Sequence, residues 1–218
     1  NDRKLDDVLL GLGAGYKISD TLGLFGGVHQ GHTFPDAESA STYIDLGDDD
    51  AVGGTGDDAD SIEGYRNPET SLNFELGARG SVANFTYEIA YFHTSLEDML
   101  FLKSASSGTD KSFNLGEGTT QGLEVLVATD LGSDAGYGIP VSVSATFTDA
   151  EFDSGTGTAD AASYVHGATK GKAFPFIPDF QINARAGLEG DKARTYLNFH
   201  YQDAVYANGA NTRTIGAY

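Results

Sequence analysis

The chain has 218 residues, of which 13 are basic and 32 acidic, and its formal net charge is −19. This balance excludes a general nucleic-acid-binding surface because no basic patch offsets it, and the absence of cysteine excludes disulfides, zinc–thiolate sites and cysteine nucleophiles. The composition of 29 Gly, 11 Tyr and 13 Phe against a single Met favours strands and turns over helices, so we predict an all-β fold.

The first predicted hairpin joins strands over residues 7–16 and 22–32. Apolar side chains recur at every second position of its first strand, which is the period of a β-strand. Pro35 then interrupts the pattern, since proline has no backbone N–H for a ladder bond. Residues 36–60 contain nine Asp and Glu and no Lys or Arg, a composition that indicates a solvated loop.

The clearest hairpin lies in residues 67–95, where two alternating segments flank a short turn. One face is ionisable or amide-bearing and includes Asn73, Glu75, Arg79 and Glu88. The other face is apolar and carries Leu72, Phe74, Leu76, Ala78, Phe85, Tyr87, Ile89 and Tyr91. The alternation predicts a sheet with one apolar and one wet face.

Two more hairpins follow with the same pattern. The third pairs residues 119–131 with 139–152, and the fourth pairs 180–187 with 195–202. The chain beyond the fourth hairpin loses the alternation in a run of Gly and Asn.

The eight predicted strands are joined by connections that alternate between short and long, with long loops at residues 33–67, 98–118 and 153–178. No run approaches the roughly 20 apolar residues of a transmembrane helix, so a membrane span would consist of strands. Long loops at one end and short turns at the other are typical of an antiparallel up-and-down transmembrane β-barrel. The charged inner positions fit a wet or plugged lumen, where we expect Glu75, Arg79, Glu88, Glu124 and Arg185 to form ion pairs across neighbouring strands.

Short motifs give the chain a family resemblance. Asn67-Pro68-Glu69, Tyr91-Phe92 and Gly122-Leu123-Glu124 resemble the late barrel of TonB-dependent outer-membrane receptors in their order and spacing. Residues 174–178 (FPFIP) and 206–212 (YANGANT) are similar to the ferric citrate receptor type.

The resemblance implies part of a barrel of about 22 strands, in the outer membrane of a Gram-negative bacterium. Residues 1–218 would then form a partial barrel, with the plug domain, the early strands and the closing strands absent. Its partners would be the TonB energy-transducing complex, outer-membrane lipid and a ferric siderophore or ferric citrate-like chelate captured by the long loops. The expected role is transport without catalysis, and no resident cofactor is expected.

Six residues at the predicted loop ends are candidates for contacts with such a chelate. Imidazole could contact the metal chelate, and cationic groups could bind its carboxylates, Arg in a bidentate manner. The candidates are His29, His32, Tyr65, Arg66, Lys170 and Lys172. The simpler interpretation of the histidines is as strand-end residues, and that of Arg66 is neutralisation of the acidic loop.

The acidic loop also contains enough carboxylates to suggest Ca²⁺, in Asp48 to Asp50, Asp57, Asp58 and Asp60. Their spacing does not match an EF-hand, so a solvated loop is favoured and no metal site is predicted. No G-x-S-x-G motif or ordered triad indicates a hydrolase. An alternative function is a complete small eight-stranded barrel that serves as an anchor, adhesin or outer-membrane enzyme.

The face assignment predicts that Phe74→Arg impairs membrane assembly by about 2–4 kcal/mol if Phe74 meets lipid near the bilayer midplane. Asn73→Arg, on the opposite face, should be tolerated better. The measurement is the free energy of unfolding of the membrane-inserted protein in urea. Equal effects of the two substitutions would remove the basis for the face assignment.

Overall fold

The computed structural model describes residues 8–34, 44–45, 61–62, 67–104, 110–114, 116–132, 137–155, 165 and 167–218. All regular structure in these ranges is β, as the composition predicts. No helix among the described residues is long and apolar enough to cross a membrane. The clustered aspartates of the acidic loop, and the candidates Tyr65 and Arg66, lie outside the described residues.

One antiparallel sheet of eight strands dominates the fold, in the order β1-β2-β5-β6-β9-β10-β11-β12. Its strands are β1 (Gly11–Lys17), β2 (Gly23–Thr33), β5 (Glu69–Val82), β6 (Phe85–Glu97), β9 (Gly118–Asp130), β10 (Pro140–Phe152), β11 (Phe180–Glu189) and β12 (Arg194–Gln202). Each strand pairs with its sequence neighbour among these eight, which is up-and-down topology. The four predicted hairpins and their pairing are confirmed.

Three small ladders lie in or after the long connections, and the alternation pattern did not predict them. They are β3 (Ile44–Asp45) with β4 (Ser61–Ile62), β7 (Leu100–Ser104) with β8 (Asp110–Asn114), and β13 (Val205–Tyr206) with β14 (Thr214–Ile215). The connection at 98–118 therefore contains a hairpin of its own. Strands of two to five residues are too short to show a two-residue period clearly.

The register shows which residues share a face, because residues directly opposite each other in an antiparallel pair point the same way. Val28 lies opposite Phe74, and Leu76 opposite Tyr91. Followed across the sheet, this outer face joins the apolar positions of all eight strands. Outer-face side chains stay open to the surroundings: Leu12 is 76% exposed, Leu76 55% and Leu197 75%.

Aromatic rings on the outer face concentrate toward the two ends of the strands. Toward the long-loop end, the rings of Phe147 and Phe180 are 4.8 Å apart, and those of Phe180 and Tyr201 are 6.3 Å apart. Toward the short-turn end, the hydroxyl of Tyr87 donates to the carbonyl of Thr21 at 2.8 Å. Aromatic girdles on both sides of an apolar band are characteristic of transmembrane barrels.

Two arginines of the inner face lie over aromatic rings. The Arg79 guanidinium lies over the ring of Phe25 at 5.2 Å, although Glu88 is its direct cross-strand neighbour. The Arg185 guanidinium lies over Tyr196 at 3.8 Å. The one ion pair between described residues is instead Lys17 with Asp20 at the short-turn end, so the predicted inner-face ion pairs are wrong for this part of the chain. Stacking on an aromatic face satisfies a guanidinium while leaving its N–H edge available.

Each of these rings also covers a glycine on the next strand. Phe25 lies opposite Gly77, and Tyr196 opposite Gly187. A Cβ on Gly77 would come within 2.3 Å of the Phe25 ring, and one on Gly187 within 2.7 Å of the Tyr196 ring. Glycine, aromatic ring and guanidinium thus form a three-layer stack at two separate places on the inner face.

The sheet is open, with β1 at one edge and β12 at the other. A closed eight-stranded barrel would require these two strands to pair, and within the described residues they do not. The complete small barrel is therefore the wrong interpretation of this sheet. An open edge is a row of unpaired backbone groups, which a larger barrel would pair with further strands.

The stacks predict that Gly77→Ala destabilises the membrane-inserted protein, because the new methyl group must displace the Phe25 ring and with it Arg79. Gly13→Ala is the matched control: it lies on the inner face too, but the nearest atom to its Cβ would be 3.7 Å away. We expect the control to be neutral or stabilising by up to about 1 kcal/mol. Urea unfolding in lipid vesicles measures both, and a Gly77→Ala variant as stable as the control would contradict the prediction.

Candidate functional site

The inner side of the sheet at its long-loop end is the most elaborately built part of the chain. Four described buried residues form an apolar cluster there, namely Met99, Phe152, Val165 and Ala168, with Leu96 and Phe174 packed against it. Leu96 and Phe152 reach it from the inner faces of β6 and β10, since each lies opposite Gly118 on β9. The connections after β6 and β10 therefore lean inward over the long-loop end of the sheet's inner side, which we call the mouth.

A row of polar residues lies on the inner face next to this cluster, two residues further along each strand toward the short turns. His29, Asn73, Thr94 and Thr120 are direct neighbours across β2, β5, β6 and β9. The Thr94 hydroxyl donates to Oδ1 of Asn73 at 2.9 Å, and Nδ2 of Asn73 donates to the Ser71 hydroxyl at 3.0 Å. To a ligand in the mouth, this row offers hydroxyl, amide and imidazole groups but no carboxylate.

Asn114 fastens the start of β5 to the hairpin β7–β8. Its Oδ1 accepts from the Asn67 backbone N–H at 2.8 Å, and its Nδ2 donates to the Asn67 carbonyl at 2.9 Å. The same Nδ2 donates to the Asp98 carbonyl at 2.7 Å, and a carboxylate oxygen of Glu69 accepts from the Leu100 N–H at 2.9 Å. A side-chain amide that pairs with both backbone groups of one residue acts as a two-point clamp.

Asn211 makes the same kind of clamp between the last two connections. Its Oδ1 accepts from the Ala173 N–H at 2.8 Å, and its Nδ2 donates to the Ala173 carbonyl at 2.9 Å. Asn208 supports this geometry, since its Oδ1 accepts from the N–H groups of Thr212 and Arg213. Asn211 has φ 56°, a left-handed conformation that asparagine tolerates better than most residues.

Hydrogen bonds between the connections after β6 and β10 join the two clamped regions. The Ser154 hydroxyl accepts from the Glu117 N–H at 2.8 Å, and the Thr119 hydroxyl donates to Asp153 at 2.6 Å. The Lys172 carbonyl then accepts from the Phe152 N–H at 2.9 Å. The described loop bases thus form one bonded collar from Asn67 to Asn211.

The structure does not bring the candidate ligand contacts together. His29 belongs to the inner polar row, whereas His32 lies on the outer face opposite Thr70, with its ring edge-on to Phe34 at 6.2 Å. Lys170 is exposed and Lys172 half-buried in the connection after β10. Four strand spacings separate β2 from β10, or about 19 Å along the sheet. Among the described residues, no group of three or more His, Asp or Glu could hold a metal ion.

The clamps are the site residues that sequence reasoning missed, although their sequence signal was present. Asn67 and Glu69 belong to the motif Asn67-Pro68-Glu69, and Asn208 and Asn211 to the run at 206–212. These motifs suggested a family, but only the structure shows what the asparagines hold.

Three solved structures have the same fold as this chain. The ferric yersiniabactin uptake receptor FyuA from Yersinia pestis has a TM-score of 0.62 and 22% identity over 95% of this chain and 28% of its own. The ferric citrate transporter FecA has a TM-score of 0.61 and 16% identity, and the match covers 96% of this chain and 29% of FecA. The ferric preacinetobactin receptor BauA from Acinetobacter baumannii has a TM-score of 0.62 and 15% identity, and the match covers 95% of this chain and 27% of BauA.

These likenesses show the fold alone, and the chain spans less than a third of each of the three structures. FecA matches no better than the other two, so the ferric citrate type is not distinguished. A search of curated proteins found no match to the sequence. The sequence does match, over residues 1–218, the family described as TonB dependent receptor-like, beta-barrel. The chain belongs to this family of TonB-dependent receptor β-barrels.

Proposed function

We propose that this chain forms part of the barrel wall and of the mouth of an outer-membrane receptor that takes up a ferric chelate into a Gram-negative cell. The observation that carries the proposal is the inward-leaning collar, which places a polar row and an apolar cluster together on the inner side of the mouth. Such a mixed concave surface suits a small polar ligand. Family membership supports transport as the role, driven by the TonB complex, with no catalytic step.

The ligand that we propose is a ferric siderophore or a ferric citrate-like chelate. His29 in the polar row and Lys170 and Lys172 in the connection after β10 are the described groups available for its acidic or metal-bound oxygens. Tyr65 and Arg66 stay candidates for contacts from the connection after β2, and His32, at the end of β2 on its outer face, would reach only a ligand held above the barrel rim. The outer face would lie against outer-membrane lipid.

Uptake of iron tests the function directly. A strain without the full gene should lose uptake of at least one radiolabelled ferric chelate while retaining the others, and normal uptake of every chelate tested would contradict the proposal. Within the receptor, His29→Ala should weaken binding of that chelate roughly three- to tenfold through the loss of one polar contact. His93→Ala, on the outer face opposite Phe74, is the matched control and should leave binding unchanged.

The two clamps predict where trypsin opens the mouth. Asn211→Asp retains an acceptor for the Ala173 N–H but removes the donor to its carbonyl, so cleavage after Lys172 should accelerate about five- to thirtyfold for a loss of 1–2 kcal/mol. Asn114→Asp should accelerate cleavage after Arg66 in the same way, because Asn114 holds Asn67.

Each clamp variant is the control for the other, since their targets lie in different connections. Mass spectrometry of early fragments measures the two rates. Unchanged rates at both bonds, or equal acceleration at both bonds in each variant, would show that the asparagines do not act as separate clamps.

A further inference from the structure

The inner face carries a second polar surface, far from the mouth, on β10, β11 and β12. Two rows of three residues face each other across these strands: Ser142 with Arg185 and Asn198, and Ser144 with Asn183 and His200. Together they line a recess of about 320 Å³. All six side chains can donate hydrogen bonds and none is a carboxylate. In a chain with 32 acidic residues, a surface of this composition stands out.

The donors are held in place by contacts around the recess. The Arg185 guanidinium lies over the ring of Tyr196, with its central carbon 3.8 Å from the ring centroid, and the Tyr196 hydroxyl is in turn hydrogen-bonded to Glu189. The ring covers one face of the guanidinium, so its N–H edge is what a ligand can reach. Oδ1 of Asn183 is bonded to Nδ1 of His200 at 2.8 Å, which leaves the Asn183 Nδ2 group to donate.

The nearest inner-face carboxylates lie outside this surface. Glu189 is engaged by Tyr196, and Asp130 accepts hydrogen bonds from the backbone N–H groups of Gly132 and Ile139. Glu124 lies opposite Thr146, one step beyond Ser144 along β10, and Glu88 is separated from Ser144 by Leu126. Arg79 shows the contrast: its guanidinium also lies over a ring, that of Phe25, but Glu88 lies directly across from it, whereas the residues directly across from Arg185 are Ser142 and Asn198.

We propose that the recess on β10–β12 is a carboxylate-binding site in the lumen, with Arg185 as its principal donor. A planar guanidinium edge matches a carboxylate in a bidentate arrangement, and the adjacent hydroxyl and amide groups supply further hydrogen bonds. The carboxylate comes either from the transported chelate or from an acidic side chain of a protein segment that occupies the lumen. The first source deepens the proposed function, whereas the second does not depend on it.

The experiment uses the full-length protein in detergent micelles, with iron-free citrate as the carboxylate probe and trimethyl citrate as its uncharged counterpart. Ligand-detected NMR gives the affinity for each probe. If the chelate is the source of the carboxylate, Arg185→Gln should weaken citrate binding about tenfold or more and leave the ester unaffected. Arg79→Gln is the matched control, because it removes the other arginine that lies over an aromatic ring, one with a carboxylate directly opposite, and it should leave citrate binding unchanged.

Asn198→Asp is a second variant that keeps the stack intact. It places a carboxylate directly opposite Arg185, where it should occupy the guanidinium and reduce citrate binding as Arg185→Gln does. This variant keeps the test valid if Arg185→Gln fails to assemble.

A parallel measurement of urea unfolding without ligand separates the two sources. If the chelate supplies the carboxylate, the variants lose citrate affinity at unchanged stability. If a protein segment supplies it, citrate affinity does not depend on Arg185, and Arg185→Gln lowers the unfolding midpoint more than Arg79→Gln does. Variants that match the Arg79→Gln control in both measurements would overturn the proposal. Because the probes contain no iron, these outcomes are independent of whether the protein imports a ferric chelate.

Discussion

The backbone ladder between neighbouring strands is the constraint on which the rest of this structure depends. In a bilayer no water is available to satisfy a backbone N–H or C=O group, so each must pair within the protein. Between neighbouring strands, the eight main strands achieve this with continuous antiparallel registers of seven to thirteen residue pairs, and only the outer edges of β1 and β12 stay open in the described sheet. A fixed ladder also fixes which side chains face outward, because a shift of one residue would turn every polar side chain toward lipid. The apolar band and the wet inner wall are therefore two consequences of one register.

The same ladder explains why the strands could be predicted from sequence and the site could not. The two-residue period is local, so residues 85–97 or 140–152 reveal their faces without knowledge of any partner. The clamps are not local: Asn114 and Asn67 are 47 residues apart, and Asn211 and Ala173 are 38 apart. Only the register of the intervening strands brings these pairs together, and an isolated asparagine gives no sign of it.

The inner-face charges show a second limit of reading a sequence by alternation. Alternation placed Arg79 and Glu88 correctly on one face and suggested ion pairs across neighbouring strands. The structure stacks Arg79 on Phe25, because Gly77 leaves room for that ring to lie across β5. The glycine thus decides the partner of an arginine two residues away. Stacking leaves the charges of the wall unpaired with one another, so they can interact with whatever occupies the lumen.

The distribution of polar groups gives the inner wall a direction. Near the mouth, the row from His29 to Thr120 is neutral apart from imidazole, and apolar loop residues cover its outer margin. Midway, Glu75 and Glu124 present carboxylates, and the recess around Arg185, which no carboxylate lines, begins in the cross-strand row of Glu88. Asp130 and Glu189 follow at the short-turn ends of their strands. An anionic group is repelled by the middle of this wall and attracted beyond it. A wall of one sign would either hold an anion or exclude it. On this wall, a counter-charge beside Glu75, Glu124 or Glu88, such as a bound cation or a basic side chain, would increase the attraction of an anion to the recess.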